Sequence, residues 1–146
     1  METAERVDAV LAKFRANGGR VTAARRSIVT ALLSGDKHQH LTAEEVATKV
    51  QRQHPEIAVS TVYRSLDALE ELGVLDHVHI GHGPTVYHLA AERHLHLICR
   101  SCGEVTEMPD EALEVLGAEI RKRRGFVIEP RHFAINGLCH RCAADR

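Results

Sequence analysis

The only four cysteines in 146 residues come as two pairs, Cys99-Arg100-Ser101-Cys102 and Cys139-His140-Arg141-Cys142. Each CxxC puts two thiolates on one tight turn. Two such knuckles supply the four sulfur donors of a tetrahedral zinc site with Zn–S near ~2.3 Å. Four cysteines leave no open coordination position, so this site would build structure rather than catalyse. A redox-active dithiol or a plain disulfide is the alternative. A thioredoxin-type dithiol sits at a strand-to-helix turn of a βαβ unit, and neither knuckle has that setting. The 36 residues between Cys102 and Cys139 exceed the roughly 15–20 of common zinc modules, so a whole fold unit must lie between the knuckles.

The eleven histidines need a separate explanation. His77 and His79 stand two apart on an expected strand and so share a face. His94 and His96 repeat that spacing just before the first knuckle. His88 lies shortly upstream of His94, His38 and His40 fall in a turn before the third helix, and His132 falls on a late strand. His38, His54, His82 and His140 are expected to be ordinary surface histidines. A strand-face HxH pair beside other histidines is expected to bind metal. Imidazole suits zinc, iron, copper and nickel; a planar set of imidazoles points to nickel or copper, and added carboxylates point to iron or manganese.

These donors are positioned by a chain that changes rhythm once. Val7, Val10, Leu11 and Phe14 recur at helical spacing, so residues 4–16 are expected to form an amphipathic helix ended by Asn17-Gly18-Gly19. Thr22 can cap a second helix carrying Ile28, Leu32 and Leu33. Thr42-Ala43-Glu44-Glu45 is a capping box opening a third helix that stops before Pro55. Ser60 can cap a fourth, with Val62, Leu66, Leu69 and Leu72 as its buried stripe and Gly73 after its end. The period then falls to two, predicting strands over residues 74–80 and 85–89 about the turn Gly81-His82-Gly83-Pro84. Helices followed by a β-hairpin predict a winged helix-turn-helix. Further on, strands are expected over 94–100, 104–108, 126–128 and 132–138. Asp110 caps a helix carrying Leu113, Leu116 and Ile120, closed by Gly125. The expectation is an α+β chain with a winged helix-turn-helix domain over 1–89 and a small α/β domain over 90–146.

Net charge is −1, which argues against a general polyanion binder. Residues 1–35 nevertheless hold six Lys/Arg against three acids, a locally positive segment suited to phosphate. No apolar run reaches membrane-span length and no apolar leader is visible, so a cytoplasmic protein without a membrane partner is expected. There is no HExxH, nucleophile elbow or Gly-rich phosphate loop. A His-rich metal hydrolase would need an open metal position and a general base, so an enzyme is not expected.

Ser60-Thr61-Val62-Tyr63-Arg64-Ser65-Leu66, then His94-Leu95-His96-Leu97-Ile98-Cys99-Arg100-Ser101-Cys102-Gly103, then the closing Cys139/Cys142 pair, strongly resemble the Fur family of bacterial metal-responsive repressors over residues ~15–142. The resemblance implies a homodimer with an N-terminal winged helix and a C-terminal dimerisation domain. It implies structural zinc on Cys99, Cys102, Cys139 and Cys142. It implies an inter-domain regulatory site drawing on His40, His88, His94, His96 and Glu107, with Glu92 a competing ligand. Where other members often carry Glu or Asp, this chain has His88, which makes that site softer and lowers the standing of peroxide-sensing PerR chemistry. Arg93 and Leu95 occupy positions of a third family site and cannot ligate. Residues 76–83 and 131–135 are instead similar to the nickel-responsive Nur branch, where His77, His79 and His132 would bind nickel. Asp76 falls where the zinc-responsive Zur branch supplies a ligand, but Leu89 replaces a cysteine of that branch.

The resemblance also implies how metal acts. A helix-turn-helix lays its second helix in the major groove of double-stranded operator DNA. Ser60, Thr61, Tyr63 and Arg64 are the expected DNA contacts, with Arg20 reaching backbone or minor groove. Ligands drawn from both domains would favour one inter-domain angle and so one spacing of recognition helices. The expected function is repression of metal-uptake and homeostasis genes. Nickel is the favoured regulatory ion, with Fe(2+), Zn(2+) or Mn(2+) as alternatives.

Overall fold

The computed structural model describes residues 3–35, 39–80, 82–90, 94–129 and 134–145. Glu92 and His132, expected ligands, lie outside the described residues, as do Arg93 and His38. The chain divides into two compact units: residues 1–76 with 86–91, and residues 77–85 with 92–146. The outer part of the hairpin groups with the second unit.

Up to residue 89 the chain forms helices α1 (Thr3–Ala16), α2 (Ala23–Leu33), α3 (Ala43–Gln51) and α4 (Val59–Glu71), with strands β1 (Leu41–Thr42), β2 (Leu75–His79) and β3 (Thr85–Leu89) ordered β1-β3-β2. Two caps behave as expected. The Thr22 side chain accepts from the Arg25 backbone N–H, and Thr42 and Glu45 form a reciprocal capping box. Val7, Leu11 and Phe14 of α1 enter one core with Ile28, Leu32, Val46, Val62, Leu66 and Leu69. Burial on this scale is the main term that offsets chain entropy, at about 1.5–3 kcal/mol for each large apolar side chain. The α3–α4 pair is the helix-turn-helix, and the β2–β3 hairpin is its wing.

Two local expectations are corrected here. Helix α4 starts two residues earlier than a Ser60 cap requires: Ala58 is the N-cap, without a side-chain cap bond. Leu72 sits at the helix end, half-buried, and Gly73 follows with φ 66°, the left-handed conformation that suits glycine there. Strand β1 has no sequence signal of its own, because two residues carry no periodicity.

The second unit contains β4 (His94–Cys99), β5 (Val105–Pro109), α5 (Glu111–Arg124), β6 (Ala134–Gly137) and α6 (His140–Ala144). Its sheet runs β5-β4-β6, with β4 central. Strand β5 pairs antiparallel, placing Glu107 opposite His96, and β6 pairs parallel, placing Gly137 opposite Cys99. Gly125 ends α5 at φ 65°, as a C-terminal glycine should. The expected strand over 126–128 is irregular chain. Of the α5 stripe only Leu113 is buried; Leu116 is exposed and Ile120 half-buried. Val105, Met108, Val115, Leu116, Phe126 and Ile135 leave a substantial apolar surface on this unit. No helix among the described residues is long and apolar enough to cross a membrane.

Candidate metal centres and nucleic-acid interface

The two knuckles meet. Cys99, Cys102, Cys139 and Cys142 bring their sulfurs within 4.8 Å of one another, and Cys102 Sγ lies 3.7 Å from Cys139 Sγ. A tetrahedron with metal–sulfur bonds of ~2.3 Å has edges of about 3.8 Å, so this spacing fits zinc. Local chain geometry explains the meeting. The Gly103 N–H donates to Cys99 O at 2.9 Å, and Gly103 adopts φ 77°, which turns the first knuckle. The second knuckle opens α6, with Cys139 as N-cap and the Ala143 N–H donating to Cys139 O at 2.9 Å. Parallel pairing of β6 with β4 carries it to the first. An Arg141–Glu104 ion pair at 3.0 Å joins the segments outside the sulfurs.

The thiols are not equivalent. Backbone N–H groups of Cys102, then Cys139, stabilise the Cys99 thiolate and lower its pKa to about 6. At Cys102 the Glu104 backbone N–H pulls down. Hydrogen bonding with the Cys99 side chain, burial and the other two cysteines outweigh it, so this thiol rises to about 11.

The second donor set also follows from strand register. His94 and His96 share a face of β4; their Nε2 atoms lie 3.1 Å apart and their rings meet edge-on. Glu107, opposite His96, sends Oε1 to 3.6 Å from His94 Nε2. His96 is 2% exposed. Three donor atoms from these residues lie within 4.8 Å of each other, two nitrogens and one oxygen suited to a first-row divalent ion. In the first unit, the His40 and His88 rings lie tilted with centroids 5.3 Å apart because His40 immediately precedes the Leu41–Tyr87 pair and His88 follows it. His77 and His79 lie edge to face at 5.4 Å, with His79 Nδ1 3.3 Å from Thr85 Oγ1. Their expected partner, His132, is outside the described residues.

The expected DNA-contacting residues gather on one end of α4. Ser60, Tyr63 and Arg64 are exposed and Thr61 half-buried, with an Arg64 guanidinium nitrogen 3.3 Å from Thr61 Oγ1. Tyr63 donates its hydroxyl to Glu44 Oε1 of α3 at 2.5 Å. This bond raises the Tyr63 pKa and lowers that of Glu44, as a phenol held by an ionised carboxylate requires. Arg20 is exposed in the segment before α2. Arg25 donates to the Arg20 carbonyl at 2.5 Å while stacking on Phe14, and Arg26 pairs with Asp8 at 2.9 Å. Glu44 and the packing role of Arg25 were not legible from sequence spacing, since both depend on which helix faces which.

Clustered thiols, a histidine–carboxylate set and a winged helix define a metal-binding helix-turn-helix protein. The model of the Ferric uptake regulator family matches residues 16–135, and the chain belongs to that family. It is therefore a metal-responsive regulator. It is 36% identical over 141 residues to the ferric uptake regulation protein of Bacillus subtilis (strain 168), covering 94% of each chain. It is 34% identical over 128 residues to the zinc uptake regulation protein of Mycobacterium tuberculosis (strain CDC 1551 / Oshkosh), covering 87% of this chain and 97% of that one. The fold matches that of the Helicobacter pylori ferric uptake regulator with TM-score 0.76 at 23% identity, over 98% of this chain and 95% of that one.

Proposed function

We propose that this regulator is a metal-dependent repressor of metal-uptake and homeostasis genes that binds double-stranded operator DNA as a cytoplasmic homodimer and has no enzymatic step. Residues 1–89 read DNA and residues 90–146 dimerise. Cys99, Cys102, Cys139 and Cys142 hold structural zinc. His40, His88, His94, His96 and Glu107, with Glu92, supply the regulatory site, and His77, His79 and His132 supply a second set suited to nickel. Ni(2+) is the favoured regulatory ion because imidazoles outnumber carboxylates in both sets. The apolar surface of β5 and α5, with Val115 75% exposed, supports dimerisation.

The observation that carries this reading is the spacing on β4. His94 and His96 present nitrogen donors on the same six-residue strand that ends in Cys99, and Glu107 faces them from β5. A regulatory ion stabilises one arrangement of its ligands, so metal and DNA each tighten the other's binding through that shared conformer. With a net charge near zero, sequence-independent DNA affinity is modest and the metal-dependent gain decides occupancy. The Glu107 carboxylate favours Fe(2+) as the second reading.

Gel-shift titration of the zinc-loaded protein with candidate promoter DNA tests this, with Ni(II), Fe(II), Zn(II) or Mn(II) added singly. A shift requiring Ni(II) is expected. DNA binding indifferent to every metal overturns the repressor mechanism, and a response to Fe(II) or Zn(II) alone replaces nickel.

A further inference from the structure

Tyr63 and Glu44 act as a pair across the helix-turn-helix. Tyr63 stands on the exposed end of α4, 40% exposed, and its hydroxyl donates to Glu44 at 2.5 Å from 19 positions away in sequence. The adjacent Glu45 has a different duty: its carboxylate accepts from the Thr42 N–H at 2.7 Å and closes the helix cap. Glu44 is thus the carboxylate that faces the reading surface.

A phenol carries one proton. When that proton lies on the bond to Glu44, the Tyr63 oxygen offers only lone pairs, and so does the carboxylate. A DNA phosphate is also an acceptor, so it finds no donor here and is repelled by the carboxylate charge. In the major groove the available donors are the exocyclic amines of adenine and cytosine.

We propose that Glu44 and Tyr63 form an acceptor-only reader of a base amino group, adenine N6–H2 or cytosine N4–H2, which makes Glu44 a specificity-determining residue. The inference rests on the DNA-binding reading above. Remove the carboxylate, and the Tyr63 hydroxyl regains a donor able to bond phosphate, guanine O6 or thymine O4.

The test is selection from a randomised duplex library by full-length, metal-loaded wild type, Glu44→Ala, Tyr63→Phe and the double variant. Both side chains are exposed, and circular dichroism melts verify folding. Wild type is expected to favour adenine or cytosine at one position of each half-site by about 5–20-fold. Each single variant loses that preference there and nowhere else. The double variant loses no more than either single one, because both break the same bond. Retained base preferences with a uniform change in affinity overturn the inference, since that is how a phosphate contact behaves. Additive losses overturn it too. If wild type enriches no sequence with any metal, the repressor reading fails and takes this inference with it. If wild type enriches a sequence that all variants share, only this inference fails.

Discussion

The Arg25 guanidinium lies over the Phe14 ring, 4.5 Å from its centroid, while its Nη1 donates to the Arg20 carbonyl. One side chain therefore ties the end of α1 to the start of α2 and holds the segment that presents Arg20. Gly19 is part of the same joint: its N–H donates to Phe14 O at 2.7 Å, and an added Cβ would lie 2.9 Å from that oxygen. Arg25→Ala should lower stability by about 1–3 kcal/mol, seen as a lower urea midpoint with unchanged slope. Arg25→Lys should recover little of it, because an ammonium cannot stack flat on the ring and reach the carbonyl together.

The zinc and regulatory donors should separate by mutation. Cys139→Ser is expected to remove tightly held zinc from the purified protein, read by elemental analysis. Glu107→Ala should leave that zinc in place and weaken regulatory-metal binding by at least ~10–100-fold in competition titrations. Loss of both metals from Glu107→Ala would mean that the two donor sets form one site.

Metal-free, reduced protein should titrate its thiols in separate steps. Absorbance near 240 nm should show one thiolate appearing around pH 6, from Cys99, with Cys102 ionising only near 11. The stability consequence has two signs. Cys99 is lowered from its ordinary value of 9.0, so its contribution is lost as pH falls from 9 toward 6. Cys102 is raised, so its contribution is lost as pH rises from 9 toward 11. Metal-free protein should therefore be most stable near pH 9. A single thiol step at pH 9 with flat stability would contradict this gradient.

The exposed apolar side chains of the second unit should matter for assembly and not for protomer folding. Val115→Asp combined with Leu116→Asp is expected to shift light-scattering mass from dimer to monomer while moving the protomer's thermal midpoint little, because neither residue is buried in the protomer. An unchanged dimer would place the interface elsewhere.

Much of this arrangement was legible in the sequence where a local rule sufficed. The Thr42/Glu45 cap, the Val62–Leu66–Leu69 stripe and Gly125 each depend on neighbours within one or two turns. The two CxxC turns announced a four-sulfur cluster because few other arrangements use that spacing. What escaped is what depends on tertiary placement. Helix α4 begins at Val59 beneath an Ala58 cap, so propensity yielded to packing of the α3–α4 turn. The apolar periodicity of α5 correctly marked a helix but not its burial, since Leu116 stays exposed and Ile120 only half-buried. The 126–128 segment is β-branched enough to suggest a strand, yet no neighbouring strand in the described residues accepts it.

Strand β4 has its parallel neighbour supplied by residues 134–137, far downstream in the chain. During synthesis at roughly 5–20 residues per second, the histidines of β4 leave the ribosome seconds before that neighbour exists. Parallel pairing over such a separation is slow to close. Until it closes, the first knuckle has only two of its four sulfurs, and β4 lacks one of its two flanks. The four-sulfur set is thus completed only when the segment carrying Cys139 and Cys142 docks beside β4, whereas the β4 histidines meet Glu107 through the earlier β4–β5 pairing.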